Sequence, residues 1–70
     1  MKTIRELRDE RGWSQMELAT KLGVSLATVY NWERGKYEPR VTQFREIAKV
    51  FGVSMDSIEL IGEDQLKTAA

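Results

Sequence analysis

The stretch that decides the fold is WSQMELATKLGVSLATVYNWERG, residues 13–35. Ser14 and Glu17 stand at the capping-box spacing, where a serine hydroxyl and a glutamate carboxylate each satisfy one orphan backbone N–H at a helix start. Trp13 before the cap and Leu18 after it have the spacing of a hydrophobic staple. Val24, Ser25 and Val29 repeat the same arrangement of an apolar residue, a serine cap and an apolar residue. Two helices follow, over 15–22 and 26–34, joined only by Gly23, Val24 and Ser25. So short a link holds them at a steep angle with the glycine at the turn. That is helix-turn-helix spacing, although an ordinary corner between two helices of a small bundle has it too.

The second of these helices lacks a clean apolar face. Stepping 100° per residue from Val29 puts Trp32 and Glu33 on the inner side. Ala27, Tyr30, Asn31 and Arg34 fall on the outer side. An inward glutamate and an outward mixture of methyl, aromatic ring, amide and guanidinium need an explanation beyond packing.

Outward from this core, the capping pattern recurs at Val53, Ser54 and Ile58. Gly12, Gly23, Gly35, Gly52 and Gly62 each follow a helical pattern and mark its end. Pro39 lies in the loop before the fourth helix, where Val41, Phe44, Ile47, Ala48 and Phe51 form one apolar stripe. No segment alternates as a strand does. The pattern predicts an all-α, compact domain of five helices, over 2–11, 15–22, 26–34, 41–51 and 55–61. The domain spans 1–62, and a polar tail occupies 63–70.

Composition limits what such a domain does. The 70 residues include neither cysteine nor histidine, which removes disulfides, the usual zinc ligands and the commonest catalytic base. No paired carboxylates flank a recognisable pocket, so no enzymatic mechanism can be named and no metal, cofactor or small-molecule substrate is implied. The charged N-terminus MKTIRELRDER has no apolar core of a signal peptide, and no run approaches the ~18 apolar residues of a membrane span. A soluble, cytoplasmic protein with no membrane partner is expected. Net charge is zero, but residues 1–40 carry eight Lys/Arg against six Asp/Glu, and residues 41–70 carry three against five. Arg34, Lys36 and Arg40 cluster just after the third helix. From charge alone, a solvated loop accounts for them better than a binding patch does.

Three strings carry a resemblance: LRDERGWSQMELATKLGVS (7–25), VYNWERGKYEP (29–39) and REIAKVFGVSMDSI (45–58). In this order and spacing, the chain from Ile4 to Ile61 resembles the Xre/Cro-type helix-turn-helix family, the lambda-repressor-like five-helix domain. Arg40 departs from the pattern, which often has a small capping residue after the proline.

The resemblance implies that the third helix lies in the major groove of double-stranded DNA and that the starts of helices two and three face phosphates. On that reading Asn31 bonds bidentately to adenine, and Ala27 with Leu26 covers a thymine methyl. Tyr30 and Arg34, at the edges of the face, reach a base or a phosphate. Ser14, Gln15 and Ser25 offer donors to phosphate oxygens, Thr28 is a weaker candidate for the same role, and Lys36 and Arg40 add charge on the flanking backbone. A solvated surface remains the alternative for each. Arg8, four residues after Ile4 on its own inner stripe, is expected to meet Glu33 in a structural salt bridge. Trp13 and Trp32 read as packing residues.

The function implied is a sequence-specific transcriptional regulator, a repressor acting by occupancy, which binds a palindromic operator as a homodimer. Met55, Leu60, Ile61 and Leu66 are available for dimer contacts. The alternative is a protein-interaction module that keeps the fold without DNA binding, a reading supported by the zero net charge and the apolar Leu26 and Ala27.

Overall fold

In the computed structural model of the protein, which describes residues 1–60, polar side chains set the helix starts. The Thr3 hydroxyl accepts from the Glu6 N–H at 3.1 Å and the Glu6 carboxylate accepts from the Thr3 N–H at 3.0 Å. This box starts α1 (Ile4–Arg11). It also holds the exposed Glu6 carboxyl below its ordinary pKa, first through the Thr3 backbone N–H and then through its hydroxyl. Ser14 and Glu17 form the same reciprocal pair at the start of α2 (Gln15–Leu22). Ser25 caps α3 (Leu26–Glu33) by accepting from the Thr28 N–H at 3.1 Å. Arg40 precedes α4 (Val41–Phe51), and its backbone N–H is taken by the Gln43 side chain at 2.9 Å. An arginine at this position therefore leaves α4 with a regular start.

Gly23 closes α2 at φ 70°, a left-handed conformation that costs other residues about 1–2 kcal/mol. There Gly23 and Val24 donate back to the carbonyls of Thr20 and Ala19 at 3.3 and 3.0 Å, which turns the chain within three residues into α3.

The core consists of Ile4, Leu7, Leu18, Ala19, Val29, Trp32, Ile47, Ala48, Phe51 and Ile58. Each α-helix contributes its inward residues, and α2 and α3 pack closely on one another. Trp13 packs against this cluster, its ring stacked on Phe51 with centroids 5.4 Å apart. The Nζ of Lys21 lies 4.6 Å from the Trp13 ring centre.

Four expectations are corrected. Four α-helices form among the described residues, and the predicted fifth does not. Met55–Ser57 is a single 3-10 turn, followed by strand β2 (Ile58–Glu59). The chain before α1 is likewise a strand, β1 (Lys2–Thr3), so the first helix begins at Ile4 instead of residue 2. The two strands pair in parallel, Lys2 with Ile58 and Thr3 with Glu59, which adds a minimal sheet to a fold expected to be all helical. Pairing lets Ile58 enter the core while its backbone bonds to β1, an arrangement that outcompetes an isolated two-turn helix. Third, α3 ends at Glu33, and Arg34 is its cap. Fourth, Val41, at the first position of α4, is 66% exposed, so the part of its stripe packed on the core begins with the partly buried Phe44. The expected end of the fifth helix at Ile61, the stop at Gly62, the domain boundary, the tail and Leu66 lie outside the described residues.

Candidate nucleic-acid interface

The third helix is divided by chemistry. Val29 and Trp32 are buried in the core, whereas Leu26, Ala27, Tyr30 and Arg34 are exposed and Asn31 and Thr28 are half-buried. Val29 and Trp32, three apart, share the inward face, while Leu26, three before Val29, stands exposed at the first position of the helix and joins the outward ridge. Leu26 and Tyr30 are 42% and 50% exposed, large apolar surface for an eight-residue helix. The Arg34 guanidinium lies over the Tyr30 ring at 5.6 Å, which steadies both at the C-terminal end of the ridge.

The ridge is anchored from behind by an ion pair. Arg8 donates through Nε to Glu33 Oε2 at 2.8 Å and through Nη2 to Oε1 at 3.0 Å, a bidentate fork. The two side chains are 12% and 6% exposed. A third bond runs from Arg8 Nη1 to the Trp13 carbonyl at 2.8 Å, so one guanidinium ties α1 to both α3 and the start of α2. The hydrogen bond to Glu33 raises the Arg8 pKa above its ordinary value against the opposing cost of burial, and the cation persists at any working pH.

Gln15 is a member of this network that the sequence does not reveal. Its amide donates to Glu33 Oε1 at 3.1 Å. One of its two amide hydrogens is thereby spent, and the other remains for an outside acceptor. The pairing crosses 18 residues of sequence, which no local spacing signals.

The remaining phosphate candidates are distributed around the ridge. Ser14 and Ser25 are exposed and engaged as caps. The Ser25 and Thr28 hydroxyls lie 2.8 Å apart, so Thr28 is held by a local bond at the start of α3. Lys36 and Arg40 are exposed on the loop beyond α3. There Lys36 sits 5.6 Å from the ring of Tyr37, itself 56% exposed and not singled out from the sequence.

Comparison with known proteins bears on this arrangement. A helix-turn-helix family model, of the Xre/Cro-like kind, matches residues 4–58. The chain belongs to the helix-turn-helix family. Within it, an uncharacterized HTH-type transcriptional regulator of Archaeoglobus fulgidus is 36% identical over 63 residues, covering 90% of each chain. The transcriptional repressor RstR of the cryptic phage CTXphi, from Vibrio cholerae, is 34% identical over 62 residues, 89% of this chain and 54% of its own. The HTH-type transcriptional activator BcrR of Enterococcus faecalis is 34% identical over 67 residues, 96% of this chain and 32% of its own. This is a family of DNA-binding transcription regulators. In the helix-turn-helix of this chain, α2, the Gly23 turn and α3 are the paired elements. No helix among the described residues is long and apolar enough to cross a membrane.

Proposed function

We propose that this protein is a sequence-specific, double-stranded-DNA-binding transcriptional regulator that inserts α3 into the major groove. The observation that carries the reading is the outward ridge of α3, with Leu26, Ala27, Tyr30 and Arg34 exposed and Asn31 half-buried among them, set by the buried Val29 and Trp32 and braced by the Arg8–Glu33 pair. Asn31 supplies the side-by-side donor and acceptor that adenine N7 and N6 require, and Ala27 with Leu26 offers methyl-sized apolar surface to thymine. Tyr30 and Arg34 extend the ridge. Ser14, Gln15, Ser25, Thr28, Lys36 and Arg40 serve the flanking backbone, since hydroxyl, amide and cationic donors near helix starts suit phosphate oxygens.

The regulator acts as a homodimer in the cytoplasm and represses by covering a palindromic operator. Relatives named as a repressor and as an activator are comparably similar to it, so the sign of regulation depends on where the operator lies relative to the promoter. Repression by occupancy is the reading that needs no surface beyond the DNA-contacting one and the dimer contact.

The test is selection of duplexes from a random library, followed by fluorescence anisotropy at ~50 and ~200 mM salt. A palindromic consensus should emerge, and Asn31→Ala should cost about 1–3 kcal/mol of discrimination at one adenine per half-site. Unselective binding that ignores Asn31→Ala would sink the reading and leave the ridge, with its exposed Leu26, as a protein-binding face.

A further inference from the structure

Beside the ridge, an open groove runs between α1 and the end of α3, lined by Arg5, Arg8, Gln15, Tyr30, Glu33 and Arg34. Its floor is electrically settled: the Glu33 carboxylate accepts two bonds from Arg8 and one from Gln15. Its rim is not. The Arg5 side chain is 72% exposed, and Asp9 approaches it only to 3.9 Å, an exposed pair of the kind that contributes little and is easily given up. Arg34 has no ion-pair partner among the described residues and lies over Tyr30. Two guanidinium groups thus stand over a neutralised floor, each a planar fork matched to phosphate oxygens.

We propose that this groove seats a backbone phosphate of the bound DNA, gripped by Arg5 of α1 together with Arg34, which extends the interface to a helix outside the helix-turn-helix. The inference rests on the DNA-binding reading above. A phosphate fits better than a base because Arg5 sits on α1, to the side of α3. With α3 in the major groove, its flank meets the wall of the groove, where the sugar-phosphate strand runs. Contacts of this kind position the protein and carry no base information. The groove is open, which suits a continuous strand better than a captured free anion, and Tyr30, which lines it, carries a hydroxyl that can donate as well.

Salt dependence separates this role from others. Binding of the full chain to its selected duplex is titrated between ~50 and ~200 mM salt for the parent protein, Arg5→Gln, Arg5→Lys and Asn31→Ala. Losing one neutralised phosphate makes the slope of log affinity against log salt shallower by about 0.9, so the Arg5→Gln deficit should be about 3.5-fold larger at the low-salt end. Base preference should be unchanged, Arg5→Lys should recover the slope, and a thermal melt of Arg5→Gln should match the parent. Asn31→Ala should do the reverse, losing base preference while keeping its slope. An unaltered slope in Arg5→Gln overturns the proposal and leaves the DNA-binding reading standing. A deficit equal at all salts also overturns it, because Arg5 would then act through the placement of α1. If the parent binds no duplex in a salt-dependent way, the DNA-binding reading fails and this proposal fails with it.

Discussion

Arg8 and Glu33 decide how firmly α3 is held, and their energetics follow from burial. At 12% and 6% exposure the pair has lost most of its hydration, so its attraction is largely offset by desolvation and its net contribution is small. Removing one partner is another matter. Arg8→Ala leaves the Glu33 carboxylate buried with only Gln15 as a side-chain donor, and stability should fall by ~3–5 kcal/mol, toward the lower end because that donor remains. Replacing both, as Arg8→Met with Glu33→Leu, should regain most of the loss. Urea unfolding of the two variants checks this; equal destabilisation in both would mean that the side chains matter for shape and not for charge. The sequence offered Arg8 and Glu33 as opposite inward charges that invite a pair, and the resemblance suggested that these two meet. Gln15 was legible as the first residue of α2 and, through the resemblance, as a phosphate donor, with no sign of its bond to Glu33. Its amide and the Glu33 carboxylate meet through the tertiary crossing of α2 and α3, which residue spacing does not encode.

At the scale of the helices, one device appears three times in the sequence and works twice as a helix cap. Ser14 and Ser25 accept the backbone N–H three residues on, whereas the Ser54 hydroxyl caps nothing. Instead the Ser54 carbonyl accepts from the Ser57 N–H and hydroxyl, and the chain leaves as a strand. The difference lies downstream. After Ser14 and Ser25 the apolar positions continue at helical spacing into the core, while after Ser54 Ile58 alone among the described residues is buried, and pairing with Lys2 and Thr3 places it there. The starts of α2, α3 and α4, the ends of α1, α2 and α4, and the α4 stripe from Phe44 onward were therefore readable, being local, whereas the start of α1 at Ile4, the end of α3 at Glu33 and the exposure of Val41 were not. The pairing of β1 with β2 was not, because two residues are too few to alternate and their partners lie 56 positions apart. It follows that Ser14→Ala should cost about 1 kcal/mol, with Ser25→Ala close to it. Ser54→Ala should stay within about 0.5 kcal/mol of the parent. Thermal unfolding of the three variants is sufficient, and a loss for Ser54→Ala equal to that for Ser14→Ala would mean that 55–61 is helical after all.

At the scale of the whole molecule, if α3 reads DNA as proposed, its size sets the stoichiometry required on the duplex. An eight-residue α3 is about 12 Å long and spans only a few base pairs. On the proposed reading, Asn31 is the side chain along it that pairs with adenine, a contact worth about 1–3 kcal/mol against a wrong base. Specific sites are typically bound about 4–10 kcal/mol more tightly than the ~10⁶–10⁹ competing genomic sites. One copy falls short, and two copies reading the same half-site sequence in opposite orientations double the discrimination without any new contact type. Twofold symmetry then fixes the spacing, with half-sites about 34–36 Å apart so that both α3 helices face one side of the duplex. Inserting five base pairs between the half-sites turns the second onto the opposite face, and affinity should drop to that of a single half-site. Titration of the palindrome, the five-base-pair insertion and an isolated half-site, with stoichiometry followed by sedimentation, distinguishes the outcomes. Two chains per palindrome and a large loss on insertion are expected. If an isolated half-site binds one chain as tightly as the palindrome does, the homodimer is wrong, and the missing specificity must come from a partner protein on the same DNA.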